Sequence, residues 1–110
     1  MSQFEEFRKK LIETYPEKDI DSSIYSFMND FFDLNKNSLN GELKENQDEV
    51  EYDSYGSEDT ELKRIFYFPE FSIFVQFSGT RASYEGEEWD EMIEVKPIQK
   101  IIEGYEQVNR

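Results

Sequence analysis

Residues 61–84 hold two acids against three bases and contain the two most apolar runs of the chain, Leu62-Lys63-Arg64-Ile65-Phe66-Tyr67-Phe68 and Ser72-Ile73-Phe74-Val75-Gln76-Phe77-Ser78. Aromatic and β-branched runs of this length read as strands, and Pro69-Glu70 between them reads as their connection. The flanking segments are acidic: net -4 over residues 1–34, -6 over 35–60 and -5 over 85–110, in a chain of 110 residues with a total charge of -14. The near-neutral stretch must therefore form the core, with the acidic segments arranged around it. Whether such a chain folds at all is a fair question, because 36% hydrophobic residues and a mean hydropathy of -0.85 border on disordered compositions. Ten Phe, seven Tyr and one Trp answer it. Each ring buries roughly 150–250 Å², and burying half of them at ~25 cal/mol/Å² offsets tens of kcal/mol of chain entropy. The expectation is one folded domain over residues 1–110, weakened at low salt by its own charge.

Ser2 followed by Glu5 is a capping-box pattern, and Phe4, Phe7, Leu11, Ile12 and Tyr15 recur at helical spacing up to Pro16. Asp19 or Asp21 caps a second predicted helix with an apolar face of Ile20, Ile24, Phe27, Met28, Phe31 and Leu34. This helical part spans residues 1–34. Residues 35–47, rich in Asn, Lys and Glu with Gly41, read as an acidic loop. The remaining residues, 48–110, read as sheet. Glu49-Val50-Glu51-Tyr52-Asp53-Ser54-Tyr55 alternates like a strand with one wet face, Gly56 to Asp59 is turn material, and Thr80–Tyr84 and Trp89–Lys96 form a further predicted pair. The isoleucines of residues 98–102 favour a final strand over a helix broken by Gly104. The fold class expected is α+β, with two N-terminal helices on an antiparallel sheet of about four to six strands.

The absence of Cys and His excludes disulfides, thiolate and imidazole chemistry and the usual zinc or haem ligands, and fits a reducing cytoplasm. The opening residues have no apolar h-region and no stretch approaches ~18 apolar residues, so neither a signal peptide nor a membrane span is expected. Asp33, Asn35 and Asn37 imitate the opening of an EF-hand loop, but Ser38 takes the glycine position and Lys44 the place of the bidentate Glu, so no metal ligand set is expected. Phosphate-binding glycine loops and nucleophile elbows are absent, and Ser78 and Ser83 have no base to activate them. The chain reads as a non-enzyme without a cofactor. Its charge opposes direct binding to nucleic acid and to anionic membranes and points to a basic protein as partner.

Glu49, Glu51 and Asp53 share one face of a strand, about 6.6–6.8 Å apart, close to twice the ~3.4 Å rise between phosphates. Fourteen charges correspond to about 24 Å of duplex, or roughly seven base pairs. A second cluster, Glu87, Glu88, Asp90 and Glu91, surrounds Trp89 and follows Tyr84. With Glu58, Asp59 and Tyr55 these residues form the expected partner-binding set, in which carboxylates meet Arg and Lys while Tyr55, Tyr84 and Trp89 act as desolvated anchors. In size and composition the chain resembles phage and mobile-element anti-defence proteins of the anti-restriction and anti-CRISPR kind, and immunity proteins against nuclease toxins. That resemblance implies a mimic of nucleic acid that occupies the basic groove of a nuclease or defence effector. The alternative is an acidic adaptor working through an aromatic interface, with calcium binding at residues 35–59 a third reading.

Overall fold

The computed structural model describes residues 2–36, 38–52, 58–82, 86–98 and 104–108. Helix α1 spans Gln3–Thr14 and α2 spans Ile20–Phe32. The Ser2 hydroxyl accepts from the Glu5 amide and the Asp19 carboxylate from the Ser22 amide, so each helix starts on the cap its sequence supplies. Hydrogen bonds from Ser22, hydroxyl and then amide, hold the Asp19 carboxyl below its ordinary range. The Ser23 hydroxyl donates to the Tyr15 carbonyl at 2.7 Å, fastening the second helix to the end of the first. α1 buries Phe7 and Leu11; α2 buries Ile24, Phe27 and Met28. Leu34, expected on that apolar face, lies past the end of α2 and is exposed.

Six strands follow: β1 (Glu42–Asn46), β2 (Glu49–Tyr52), β3 (Glu58–Phe68), β4 (Ile73–Ala82), β5 (Gly86–Ile98) and β6 (Gly104–Gln107). They make an antiparallel sheet of five strand positions in the order β1-β3-β4-β5-β6, and β2 continues the β1 position along the other half of β3. The architecture is thus α+β, two N-terminal helices on an antiparallel sheet. Between β1 and β2 the pairing is carried by other groups. The Gln47 amide donates to the Lys63 carbonyl at 2.8 Å, and the Asp48 carboxylate accepts from the Lys63 amide at 3.0 Å.

Two sequence expectations are corrected here. Residues 35–47 are not all loop, because Glu42–Asn46 form β1. One inward leucine, Leu43, packs against the core, and β3 satisfies the backbone, which a run of polar residues does not announce. Nor do Thr80–Ala82 begin a separate strand; they continue β4 straight through Gly79. The register slips there, between Ser78 and Gly79, where the main chain of β5 crosses so closely that a Cβ on Gly79 would strike the Glu88 carbonyl oxygen and the Trp89 Cα. Gly56 and Ser57 of the expected turn lie outside the described residues, and Glu58 and Asp59 already belong to β3.

Both helices cover one sheet face. Phe7 and Phe27 pack on Phe66, Phe68 and Phe77, with Phe7–Phe68 centroids 4.3 Å apart and Phe27–Phe66 5.3 Å apart. On the opposite face Tyr67 meets Phe74 at 4.8 Å and Phe74 meets Tyr105 at 5.6 Å, beside buried Ile65 and Val95. The near-neutral segment 61–84 therefore lies at the centre of the fold, and the acidic segments add Phe7, Leu11, Ile24, Phe27, Met28 and Trp89 to the same core while their charges stand outside it.

Candidate partner-binding surface

Antiparallel register, not sequence proximity, assembles the acidic surface. β2 sets Glu49 opposite Glu61; β4 sets Thr80 opposite Glu61; β5 sets Glu88 opposite Thr80. One row across four strands thus reads Glu49, Glu61, Thr80, Glu88, all exposed, on the face away from the helices. Neighbouring strands stand about 4.8 Å apart, so the Glu61 and Glu88 backbones are about 9–10 Å apart, with Thr80 between them. Asp59 lies two residues from Glu61 on the same face, and Glu91 faces Ser78 one step further along. Lys63 and Arg81 are the cations lining the depression beside Asp59, Glu61 and Glu91, which encloses about 660 Å³ and also touches Asp90. Like charges placed directly opposite each other on a sheet destabilise it. Glu49 against Glu61 is such a pair, and the backbone register sets Glu51 against Asp59 in the same way.

The pleat divides the expected Glu87–Glu91 cluster. Glu88 and Glu91 stand on the outer face. Glu87 points to the helix side, where its Oε1 lies 3.8 Å from Arg64 and 3.7 Å from Arg81. Asp90, in the bulge, lines both the outer depression and a groove beside α2.

Trp89 is corrected outright. It is 2% exposed and belongs to the core, so it offers no outward anchor. The bulge opposite Gly79 turns it inward, where an absent Cβ leaves room for its backbone. Asp53, Tyr55 and Tyr84 lie outside the described residues, and Glu51 and Glu58 are placed by backbone alone, in β2 and β3.

Sequence reading missed three groups. Glu61 completes the acidic row, which only the register reveals. Arg64, 5% exposed, interrupts the inward stripe of Leu62, Phe66 and Phe68. Its guanidinium lies over the Phe32 ring at 4.6 Å and the Trp89 ring at 5.0 Å, and donates to Asp48 Oδ2 from Nη2 at 3.0 Å and from Nε at 3.3 Å. A lone cation at an inward position of an alternating strand was the signal for it. Glu17, which the sequence reading did not single out, and Asp19 and Asp21, read only as cap candidates, line a groove between α2 and β5 together with Glu87 and Asp90 and the edge of Glu88; it encloses about 780 Å³. Tyr25, 43% exposed, stands in its wall.

Among the described residues, no group of three or more acidic side chains is gathered in metal-binding geometry, and no helix is long and apolar enough to cross a membrane. No family model, curated protein or solved structure matches the chain.

Proposed function

We propose that the protein is a non-enzymatic inhibitor that acts in the cytoplasm as a decoy for nucleic acid, occupying the basic groove of a nuclease or defence effector. In size and composition the chain resembles anti-restriction and anti-CRISPR proteins of phages and mobile elements, and immunity proteins against nuclease toxins. The observation that supports the reading best is the row of Glu49, Glu61 and Glu88 across the outer sheet face, flanked by Asp59 and Glu91. Solubility needs charge but does not need it aligned, and directly opposed glutamates cost the sheet stability. An arrangement that harms the fold is accounted for by a partner that compensates it with lysine and arginine. Carboxylates so displayed steer association and take the subsites that phosphates would fill.

The test is displacement. The protein is used to capture partners from its native host with elution in steps of salt, and the captured protein is then loaded with labelled duplex DNA or RNA. Release of the duplex by the wild-type chain, and not by Glu61→Lys with Glu88→Lys, supports the reading. A captured partner that keeps its duplex at low salt sinks it. A second reading, an acidic adaptor with an aromatic interface, is favoured by the exposure of Phe32, Leu34 and Val50 near the end of α2 and on β2. It requires binding that is insensitive to salt and lost on Phe32→Ser.

A further inference from the structure

We infer that the open edge of β5, over Glu87–Met92, takes up an extended segment of a partner protein as an added strand, and that this segment alternates basic with aliphatic residues. The inference stands whether or not the outer face acts as a decoy. On one side β5 pairs with β4 from Gly86 to Val95; on the other, β6 covers only Val95–Ile98. Val108 prolongs that pairing by one step, its amide donating to the Glu94 carbonyl at 2.9 Å. Backbone groups alternate in direction along a strand. Met92, two residues from Glu94 with no bulge between them, therefore aims its N–H and C=O to that same side. Among the described residues, no strand pairs with β5 there before Glu94. A row of unpaired main-chain groups is a template for a further strand.

Grooves run along this edge, between β5 and α2. The larger reaches from Glu87 to Asp90, the smaller, of about 200 Å³, from Asp90 to Met92, and they adjoin at Asp21 and Asp90. Residues of both sheet faces line the smaller one, Met92 from the inner and Glu91 from the outer, which puts it at the rim of the strand. An added strand opposite Glu87–Met92 spans about 20 Å. Phe4, Ile20, Ile24 and Met92 give the smaller groove an apolar lining, a seat for one aliphatic side chain. In strand addition the main chain supplies affinity and such pockets select alternate side chains. Charge then chooses the occupant. A second copy joined edge to edge would set Glu87, Glu88, Asp90 and Glu91 against the same four acids, which destabilises a sheet. A segment with Lys or Arg at every second position meets Asp90 and Glu91 favourably, so the acids keep like edges apart and admit a strand of opposite sign.

The experiment titrates the full chain with an alternating Lys-Val hexapeptide, blocked at both ends, and with hexa-lysine, by calorimetry at matched ionic strength and by amide hydrogen exchange. The alternating peptide, with half the charge, is expected to bind about three to ten times more tightly and to slow exchange at the Met92 amide. In an extended peptide the valine amides face one edge and the lysine amides the other. N-methylation of one set should therefore weaken binding about tenfold or more, and of the other set far less. Ile20→Ala should weaken the alternating peptide and leave hexa-lysine unchanged. Tighter binding of hexa-lysine, equal losses from the two methylation patterns, or a Met92 amide that exchanges as fast in the complex as in the free chain overturns the inference.

Discussion

Replacing Asp48 with alanine takes away three hydrogen bonds: from the Lys63 amide at 3.0 Å, and from Arg64 Nε at 3.3 Å and Nη2 at 3.0 Å. Arg64 is then left 5% exposed, with Glu87 at 3.8 Å and two aromatic rings for company. Removing one partner of a buried pair costs roughly 3–5 kcal/mol, and a stranded buried amide roughly 1–3 kcal/mol. The Asp48 side chain is 17% exposed, so water reaches part of the site. Glu87 at 3.8 Å compensates Arg64 further, and the low end, about 3 kcal/mol, is the expected loss. For a domain of this size that lowers Tm by about 10–20 °C. Arg64→Met keeps the apolar stem against Phe32 and Trp89 and removes the charge that needs a partner. The double variant should therefore lose no more than about 2 kcal/mol, chiefly the Lys63 amide, giving a coupling of at least about 1–2 kcal/mol in a double-mutant cycle. Urea denaturation of the four proteins measures it. Additive losses, or a single Asp48→Ala cost below about 1 kcal/mol, would refute the assignment of Arg64 as a buried charge held by Asp48.

Gly79→Ala places a Cβ against the β5 main chain, which cannot move without breaking the bulge, and is expected to cost more than about 2 kcal/mol by thermal melting. Glu61→Lys should do two opposite things: stabilise the sheet by roughly 0.2–1 kcal/mol at low salt by relieving its opposition to Glu49, and weaken partner binding in the displacement assay. Burial, aided by the neighbouring Asp30 carboxylate, pushes the Tyr15 phenol up to about 12 from 10.0. Because the folded value is the higher one, the native state holds the proton between pH 10 and 12 while the unfolded chain has lost it. Stability is full below pH 10 and falls by up to about 2 kcal/mol as pH rises through that window. Tyr15→Phe should flatten the alkaline limb of the denaturation curve, and an unchanged limb would exclude Tyr15 as its origin.

The parts of this fold that were legible in the sequence are those set by neighbours along the chain. Ser2 and Asp19 cap their helices because a side-chain oxygen reaches an amide three residues on. The strands through Leu62–Phe68 and Ile73–Phe77 declare themselves by residue type and period, since a half-buried strand alternates whatever it pairs with. The net charge, and with it the expectation that nucleic acid is not a direct ligand, is likewise a property of composition.

What only the tertiary structure decided is set by pairing at a distance. Glu61 joins Glu49 and Glu88 in one row because β2, β3, β4 and β5 hydrogen-bond in one particular register. A slip of one residue would send each of those side chains to the opposite face. A single bulge at Gly79 turns Trp89 from an exposed anchor into core and places Glu87 among arginines. Leu43 makes β1 a strand only because β3 lies beside it. Local preferences choose the elements, and long-range hydrogen-bond register chooses which side chains meet; the acidic row and the α2–β5 groove belong to the second.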